Sequence, residues 1–547
     1  MANAFRVGIS VGGKLLEGDE LPEVPELAKG EGPDDFRPVV RLLAWATENR
    51  RSLLTFAVVL ALIFLLRMPA HYEISIDDIN KFGSSDPYGK LIDGAARWNR
   101  WMTVSLAFLF QISAVPFGAF MFSGSVLADA LLVVFCFVLC RFFDRGASTL
   151  VIVSVASVIA LAPQIFVLVH FHLIGYSLAA TYAALIWLLL AADSQRRWAL
   201  PVAITLGGAV VAGSYQSGLY WYALCVLGIS LRDGLRGAKP LAVVQNMAIH
   251  GVYMAVGLAI YAVLGKLLSI GIAPPKHQFA TFQEMLDMAE ARLSSAYFNW
   301  HLRDLNNFPK VLKLLVLYHA AALLSFSFML ARKKRGYGIV VIVFCIAVLL
   351  CAVQILMFPY NYQHVPVRSF WWFGLMYALV FLLFHTAFQE RRENRNAIHI
   401  TKVRDQASGI FYSANLGVVI LFGLCFAVST YRLGDGLTKL RATDDIRAEV
   451  ILENLKSLDF QNDKPIVLAL GDKKRLDAMH AETIGATKTM FWANWTRVPF
   501  LNTKSDMVFR EAPVDLFNEG RQSCLENAPV GPMPRVTIET DYVLVCL

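Results

Sequence analysis

Two adjacent carboxylates, Asp77 and Asp78, stand just beyond the first long apolar run of the chain, residues 52–69, at the end of the stretch His71-Tyr72-Glu73-Ile74-Ser75-Ile76. Two acids held beside a bilayer surface are candidates for acid–base chemistry. An acidic helix N-cap outside the membrane is the competing account. The same segment carries Asp86, Lys90, Asp93, Arg97 and Arg100, interleaved with Trp98 and Trp101. Helical spacing from Asp86 to Arg100 predicts Asp93, Arg97 and Arg100 on one face. Guanidinium groups there suit a phosphate at a bilayer surface, and a solvated helix anchored by its tryptophans is the alternative. Further along, Tyr215-Gln216 offers a phenol and an amide that can read sugar hydroxyls. The stretch Asn361-Tyr362-Gln363-His364-Val365-Pro366-Val367-Arg368 adds Tyr362 and His364 as substrate-binding candidates and Arg368 as a phosphate-binding one. An arginine at the edge of an apolar helix either meets an anion or snorkels to the interface. His170 and His172 lack further ligands at useful spacing, so no zinc site is expected.

The elements that must position these residues are membrane helices. The 547 residues are 56% hydrophobic and 17% charged, and the charges gather in short blocks between apolar runs. A helix needs about 20 apolar residues to cross the hydrocarbon core. Runs near 52–69, 118–140, 148–168, 173–192, 199–213, 216–231, 244–268, 310–331, 337–358, 366–388 and 409–430 predict about eleven spans. None of them alternates as a β-barrel strand does. Basic clusters at Arg141/Arg145, Arg196/Arg197, Arg232/Arg236/Lys239, Arg332 to Arg335 and Arg391 to Arg404 each follow an even-numbered span. With Arg37, Arg41, Arg50 and Arg51 before the first span, the rule that basic loops stay inside predicts a cytoplasmic N-terminus and an outward-facing tail. The net charge of +8 then has a topological origin and requires no nucleic-acid partner.

Residues 1–50 contain acidic and Pro-containing sequence and do not read as a cleavable signal peptide. Val39, Val40, Leu42, Leu43 and Trp45 among basic residues suit an amphipathic helix on the inner leaflet. Residues 51–433 then form the transmembrane domain, with a first outer loop over 70–117, and residues 434–547 form a small α/β tail. In that tail 445–458 has helical periodicity, Pro465 to Gly471 is a short strand, and 536–547 is a second one. Cys524 and Cys546 are the two cysteines of the tail, and an oxidising compartment permits them to pair. The sequon Asn494-Trp495-Thr496 is taken as coincidence.

Several short features together resemble the type II O-antigen glucosyltransferase family, multispanning bacterial enzymes of the GT-C class. They are Ser75-Ile76-Asp77-Asp78 after the first span, Ala96-Arg97-Trp98, Tyr215-Gln216 at an outer turn, Arg368 after a Pro-containing loop, and the tail strand Ile466 to Gly471. The resemblance covers about residues 50–547; the family's glycine before Arg97 is alanine here, and Asn80-Lys81 stands where an arginine is expected. It implies a GT-C-like, all-α polytopic fold in a bacterial inner membrane, with the tail in the periplasm. It also implies transfer of a hexose, glucose first, from undecaprenyl-phosphate-sugar to a surface polysaccharide such as the O-antigen of lipopolysaccharide. Asp77 or Asp78 would be the base, and Arg368, with Arg97 or Arg100, would neutralise the departing phosphate. A divalent cation, Mg or Mn, is the cofactor left open, and a flippase and a donor-lipid synthase are the expected companions. No glycine fingerprint for a nucleotide-sugar exists, since Gly8 to Gly13 has the wrong spacing and flanks. The alternative is a polytopic transporter or flippase, against which stand span interiors with few charges beyond Asp129 and no matched repeat.

Overall fold

The computed structural model describes residues 50–72, 75–268 with 76–77, 80, 82–83, 85, 195 and 236–237 excepted, 283–284, 286–288, 371–396, 402–460, 463–469, 490–491, 494–505, 508–526 and 534–547. The expected inner-leaflet helix before residue 50, the runs at 310–331 and 337–358, and Asp77, Tyr362, His364 and Arg368 lie outside these residues. Among the described residues, five helical stretches are long and apolar enough to cross a membrane: Leu54–Tyr72, Phe117–Phe143, His172–Ala192, Pro240–Leu268 and Tyr412–Ser457. Shorter apolar helices accompany them at Trp101–Ile112, Thr149–Ala160, Ala199–Ser214 and Trp372–Leu383. Their length and composition are those of a helical multi-pass membrane protein.

In chain order the helices are α1 (Arg50–Tyr72), α2 (Pro87–Arg97), α3 (Trp101–Ile112), α4 (Phe117–Phe143), α5 (Thr149–Ala160), α6 (Pro163–Val169), α7 (Gly175–Ala192), α8 (Ala199–Val202), α9 (Gly208–Ser214), α10 (Gly218–Leu235), α11 (Pro240–Leu268), α12 (Trp372–Asn396) and α13 (Lys402–Ser457). Three sequence expectations need correction. Residues 148–168 are not one helix but α5 and α6, because Pro163 lacks an amide hydrogen and drives Ala162 out of the helical region (φ −56°, ψ 129°). The segment 70–117 is not simply an outer loop, since it contains the apolar helix α3. The third concerns the boundary at residue 434, which α13 crosses as continuous helix. α13 continues for 56 residues, about 84 Å at the helical rise, against a hydrocarbon core of about 30 Å.

Helices α4 and α7 approach most closely where small residues meet. A Cβ built on Gly175 would stand 2.6 Å from backbone atoms of Gly124 and Ser125, so only glycine permits this crossing. Across the bundle, the buried Arg67 of α1 donates to Asp129 of α4 and to the carbonyl of Ala160 at the end of α5. His71 Nε2 lies 2.9 Å from the other oxygen of Asp129. Three helices are thus tied by one polar cluster, whose loss of a single member would leave a buried charge uncompensated at a cost of about 3–5 kcal/mol.

The tail joins the far part of α13 to β1 (Ile466–Ala469), α14 (Asn494–Lys504), α15 (Val514–Glu526), β2 (Arg535–Ile538) and β3 (Val543–Cys546). The sheet order is β1-β3-β2, with β1 parallel and β2 antiparallel to β3. The expected single strand over 536–547 is therefore a hairpin, closed by the Glu539 amide donating to the Tyr542 carbonyl. On α13 the buried tail face is Ala448, Ile451, Leu452 and Leu455, while Ile446 and Leu458 of the expected periodicity are exposed. Leu433 and Leu437 of the same helix belong to the core of the membrane bundle. Ile79, from the segment after α1, is also buried in the tail core. Cys524 of α15 and Cys546 of β3 are joined by a disulfide with their Cα atoms 5.5 Å apart.

Gly175→Ala is expected to lower stability by about 1–3 kcal/mol through forced separation of α4 and α7. Gly417→Ala, with open space around its position, should leave stability unchanged or raise it by up to about 1 kcal/mol. Thermal unfolding of the two variants in detergent checks the contrast. In the same assay, reduction of Cys524–Cys546 should destabilise the tail by about 3 kcal/mol for a closed loop of this size.

Candidate functional site

The ends of the helices determine which polar residues can meet. Contacts join the segment after α1 to the turn before α7, the start of α3 to the start of α7 and the end of α9, and Trp371 before α12 to the turn before α10, so these turns lie at one end of the bundle. Two polar clusters occupy that end.

The first is built on a single helical turn after α1. Ser75 opens it: its carbonyl accepts from the amides of Asp78 and Ile79, and its hydroxyl accepts from the Asp78 amide at 3.1 Å. This makes Ser75 the capping residue and turns the Asp78 side chain away from that role. Asp78 is fully buried, and its Oδ2 accepts the backbone amide of His172 at 3.0 Å. The Nδ1 of the His172 ring is 3.4 Å from the same oxygen, an electrostatic contact longer than a normal hydrogen bond. Oδ1 of Asp78, both ring nitrogens of His172 and Nδ1 of His170 are buried with no hydrogen-bond partner among the described residues. The two imidazole centroids are 6.3 Å apart. From α13, Arg441 pairs with Asp444 at 3.0 Å, and Asp444 also accepts the Met490 amide at 2.9 Å.

Burial pushes the Asp78 carboxyl upward, but attraction to His172, the Ser75 hydrogen bond and the neighbouring His170 outweigh it, leaving the group below its ordinary value. Burial pushes His170 down to about 3, with Arg441 and His172 adding to the shift. The site at working pH therefore combines a desolvated carboxylate with a neutral imidazole, which is an arrangement able to take a proton from a hydroxyl.

The second cluster forms where α2 gives way to α3. Asn99 adopts the left-handed region, φ 55°, which reverses the chain between Arg97 and Arg100. Its side chain is accommodated because Gly265 of α11 has no Cβ: one built there would fall 1.8 Å from Asn99 Oδ1. Arg97 and Asp93 stay exposed on α2, whereas Arg100 lies beyond the helix as the residue that precedes α3. The expected common face is thus corrected, because the helix ends before it reaches Arg100. Arg100 instead meets the Tyr215-Gln216 turn. Its guanidinium lies over the buried Tyr215 ring, 4.8 Å from the centroid, and its Nε donates to Gln216 Oε1 at 3.3 Å. Gln216 Nε2 donates to the Trp98 carbonyl and to Tyr261 Oη, the latter at 3.4 Å. Next to this turn, Trp371 donates from Nε1 to Ser217 Oγ at 2.9 Å and stacks on Trp221 with centroids 4.6 Å apart.

The structure thus brings Arg100, Tyr215 and Gln216 together, places Asp78 in a separate cluster and leaves Arg97 apart. The sequence predicts neither the part of His172, His170 and the Arg441–Asp444 pair in this polar end nor the Arg67–Asp129–His71 cluster inside the bundle. Charges within or beside apolar runs were the available signal for Arg67 and Asp129. His170 and His172 were weighed only as metal ligands, and an imidazole beside a carboxylate needs no metal. Among the described residues no group of three or more His, Cys, Asp or Glu could hold a metal ion. No family model, curated protein or solved structure matches the chain.

A folded pKa depressed below the unfolded one means that the unfolded chain binds the proton first. For His170 the loss of stability begins as pH falls below about 6.5 and continues toward about 3. The stabilising contribution of Asp78 is present above the ordinary carboxylate value and is lost only as pH falls through its own lower one. Unfolding midpoints of the detergent-solubilised protein should therefore fall between pH 6.5 and 4.5, and His170→Gln should flatten that slope. An unchanged slope in the variant would refute the assignment.

Proposed function

We propose that the chain is a membrane glycosyltransferase of the GT-C kind. It moves a hexose, glucose first, from undecaprenyl-phosphate-sugar to a polysaccharide such as the O-antigen, on the periplasmic face of a bacterial inner membrane. The observation that carries this reading is the buried Asp78 carboxylate beside His172, at the same end of an apolar helical bundle as Arg100 on its Tyr215-Gln216 seat. Sugar transfer from a phosphodiester needs a base for the acceptor hydroxyl and positive charge for the departing phosphate. Asp78 supplies the first and Arg100 the second, and Tyr215 and Gln216 hold that guanidinium in place. Asp77, Arg97 and Arg368 remain candidate contributors, with Tyr362 and His364 as sugar contacts. In this reading about eleven spans carry the active site, the N-terminus is cytoplasmic and the α/β tail is a periplasmic domain. A flippase and a donor-lipid synthase would supply the donor.

A second reading, transport of a lipid-linked or polysaccharide substrate, is favoured by the Arg67–Asp129–His71 cluster, because ionisable groups inside spans often mark a transport path. Proteoliposomes separate the two. With polyprenyl-phosphate-[14C]glucose and an O-antigen acceptor, the enzyme reading expects label in the polysaccharide, and Asp78→Asn should cut the rate roughly a hundredfold to ten-thousandfold. Full activity of Asp78→Asn, and of Asp77→Asn beside it, would reject the catalytic assignment. The transport reading expects movement of labelled lipid across the vesicle wall without covalent transfer, abolished by Asp129→Asn.

A further inference from the structure

The two oxygens of Asp78 are not equivalent. Oδ2 is held by the His172 amide at 3.0 Å and faces the His172 ring nitrogen at 3.4 Å, whereas Oδ1 is buried without a hydrogen-bond partner among the described residues. A carboxylate oxygen left unpaired in a desolvated place is costly unless something fills it during function. Beside it, Nε2 of His172 and Nδ1 of His170 are also buried with no hydrogen-bond partner among the described residues. Three buried polar atoms without partners among the described residues thus sit on three neighbouring side chains, where a hydroxyl could satisfy them. Asp78 itself sits on a turn fixed from both sides, by Ser75 below and by Ile79 in the tail core. Its carboxylate direction is then set by His172.

We propose that His172 is the positioning residue of this site: it anchors Oδ2 so that Oδ1 alone receives the acceptor proton. This role presupposes the sugar-transfer reading above. In the step, the acceptor O–H bond breaks and its proton passes to Oδ1. The acceptor oxygen bonds to the anomeric carbon as that carbon's bond to the phosphate oxygen breaks. The electron pair leaves with the polyprenyl phosphate, which gains one negative charge as Asp78 becomes neutral. The titratable groups that act on Asp78 among the described residues are His172 and His170 before α7, and Arg441 of α13 acts in turn on His170.

The backbone amide of residue 172 survives any substitution except proline, so side-chain variants isolate the ring. His172→Ala should lower kcat roughly tenfold or more while KM for polyprenyl-phosphate-glucose stays within about twofold. Because attraction to His172 lowers the Asp78 carboxyl, the acid limb of the kcat–pH profile should move to higher pH in this variant. His172→Asn places an amide nitrogen near the position of Nδ1 and should restore a large part of kcat and the original limb; it also serves if His172→Ala fails to fold, as judged by its melting profile. Wild-type kcat and an unmoved limb in His172→Ala, or equal losses in both variants with no shift of the limb, would overturn the inference while leaving sugar transfer standing. A wild-type protein that transfers no label would instead overturn the sugar-transfer reading, and the role of Oδ1 with it.

Discussion

A guanidinium inside an apolar helical bundle is tolerable only where its partners are fixed, and the rest of the site depends on how Arg67 meets that condition. Its carboxylate partner, Asp129, is on α4, its carbonyl partner, Ala160, closes α5, and His71 one turn later shares the same carboxylate. Because none of these groups has access to water, α1 cannot slide or rotate against α4 without exposing a charge to hydrocarbon. The last turn of α1 is therefore held in register, and the chain leaves it at a set place. Only a few residues separate His71 from the Ser75 cap, so the Asp78 turn inherits that register.

The turn is constrained a second time by the tail. Ile79 is buried with Ala448, Ile451, Leu455 and Met490, while its neighbour Asp78 is bonded to the start of α7. Adjacent residues thus report to two different cores. α13 connects the same two cores as one continuous helix, with Leu433 and Leu437 in the bundle and Ala448 and Ile451 in the tail. At the junction Asp444 holds both Arg441 and the Met490 amide. A tail attached this way is part of the framework around Asp78 rather than an appendage on a linker.

How much of this was legible in the sequence varied with the kind of signal. Apolar length gave α1, α4, α7 and α11 nearly as they are, because a span must be long and continuous. It failed at Pro163, where the composition stays apolar but the backbone cannot continue, and at α3, whose 12 residues fall short of a full crossing. It also failed at the end of α13, since a helix that leaves the bilayer changes composition without changing conformation. For the site, residue type identified Asp78, Arg100, Tyr215 and Gln216, yet helical spacing misassigned Arg100 to the face of Arg97. A single left-handed residue, Asn99, undoes the periodicity, and its tolerance depends on Gly265 far away in the chain. The Asp78–His172 contact was not readable at all, for nothing local to either residue encodes a separation of 94 positions.

The separation of the two clusters has its own chemical logic. A carboxylate and a guanidinium that pair with each other are held together, whereas two that act on different groups must be positioned by other partners. Here Asp78 is bonded to His172, while Arg100 lies on the ring of Tyr215 and donates to an uncharged amide. Neutral polar contacts tie the elements that carry them: Thr103 at the start of α3 meets Ser177 Oγ of α7 at 2.6 Å and donates to the carbonyl of Ser214, next to Tyr215. These contacts fix the spacing between the Arg100 turn and the start of α7 without adding a charge that would draw either group away. In the proposed reaction, Asp78 would face the acceptor hydroxyl and Arg100 the departing phosphate.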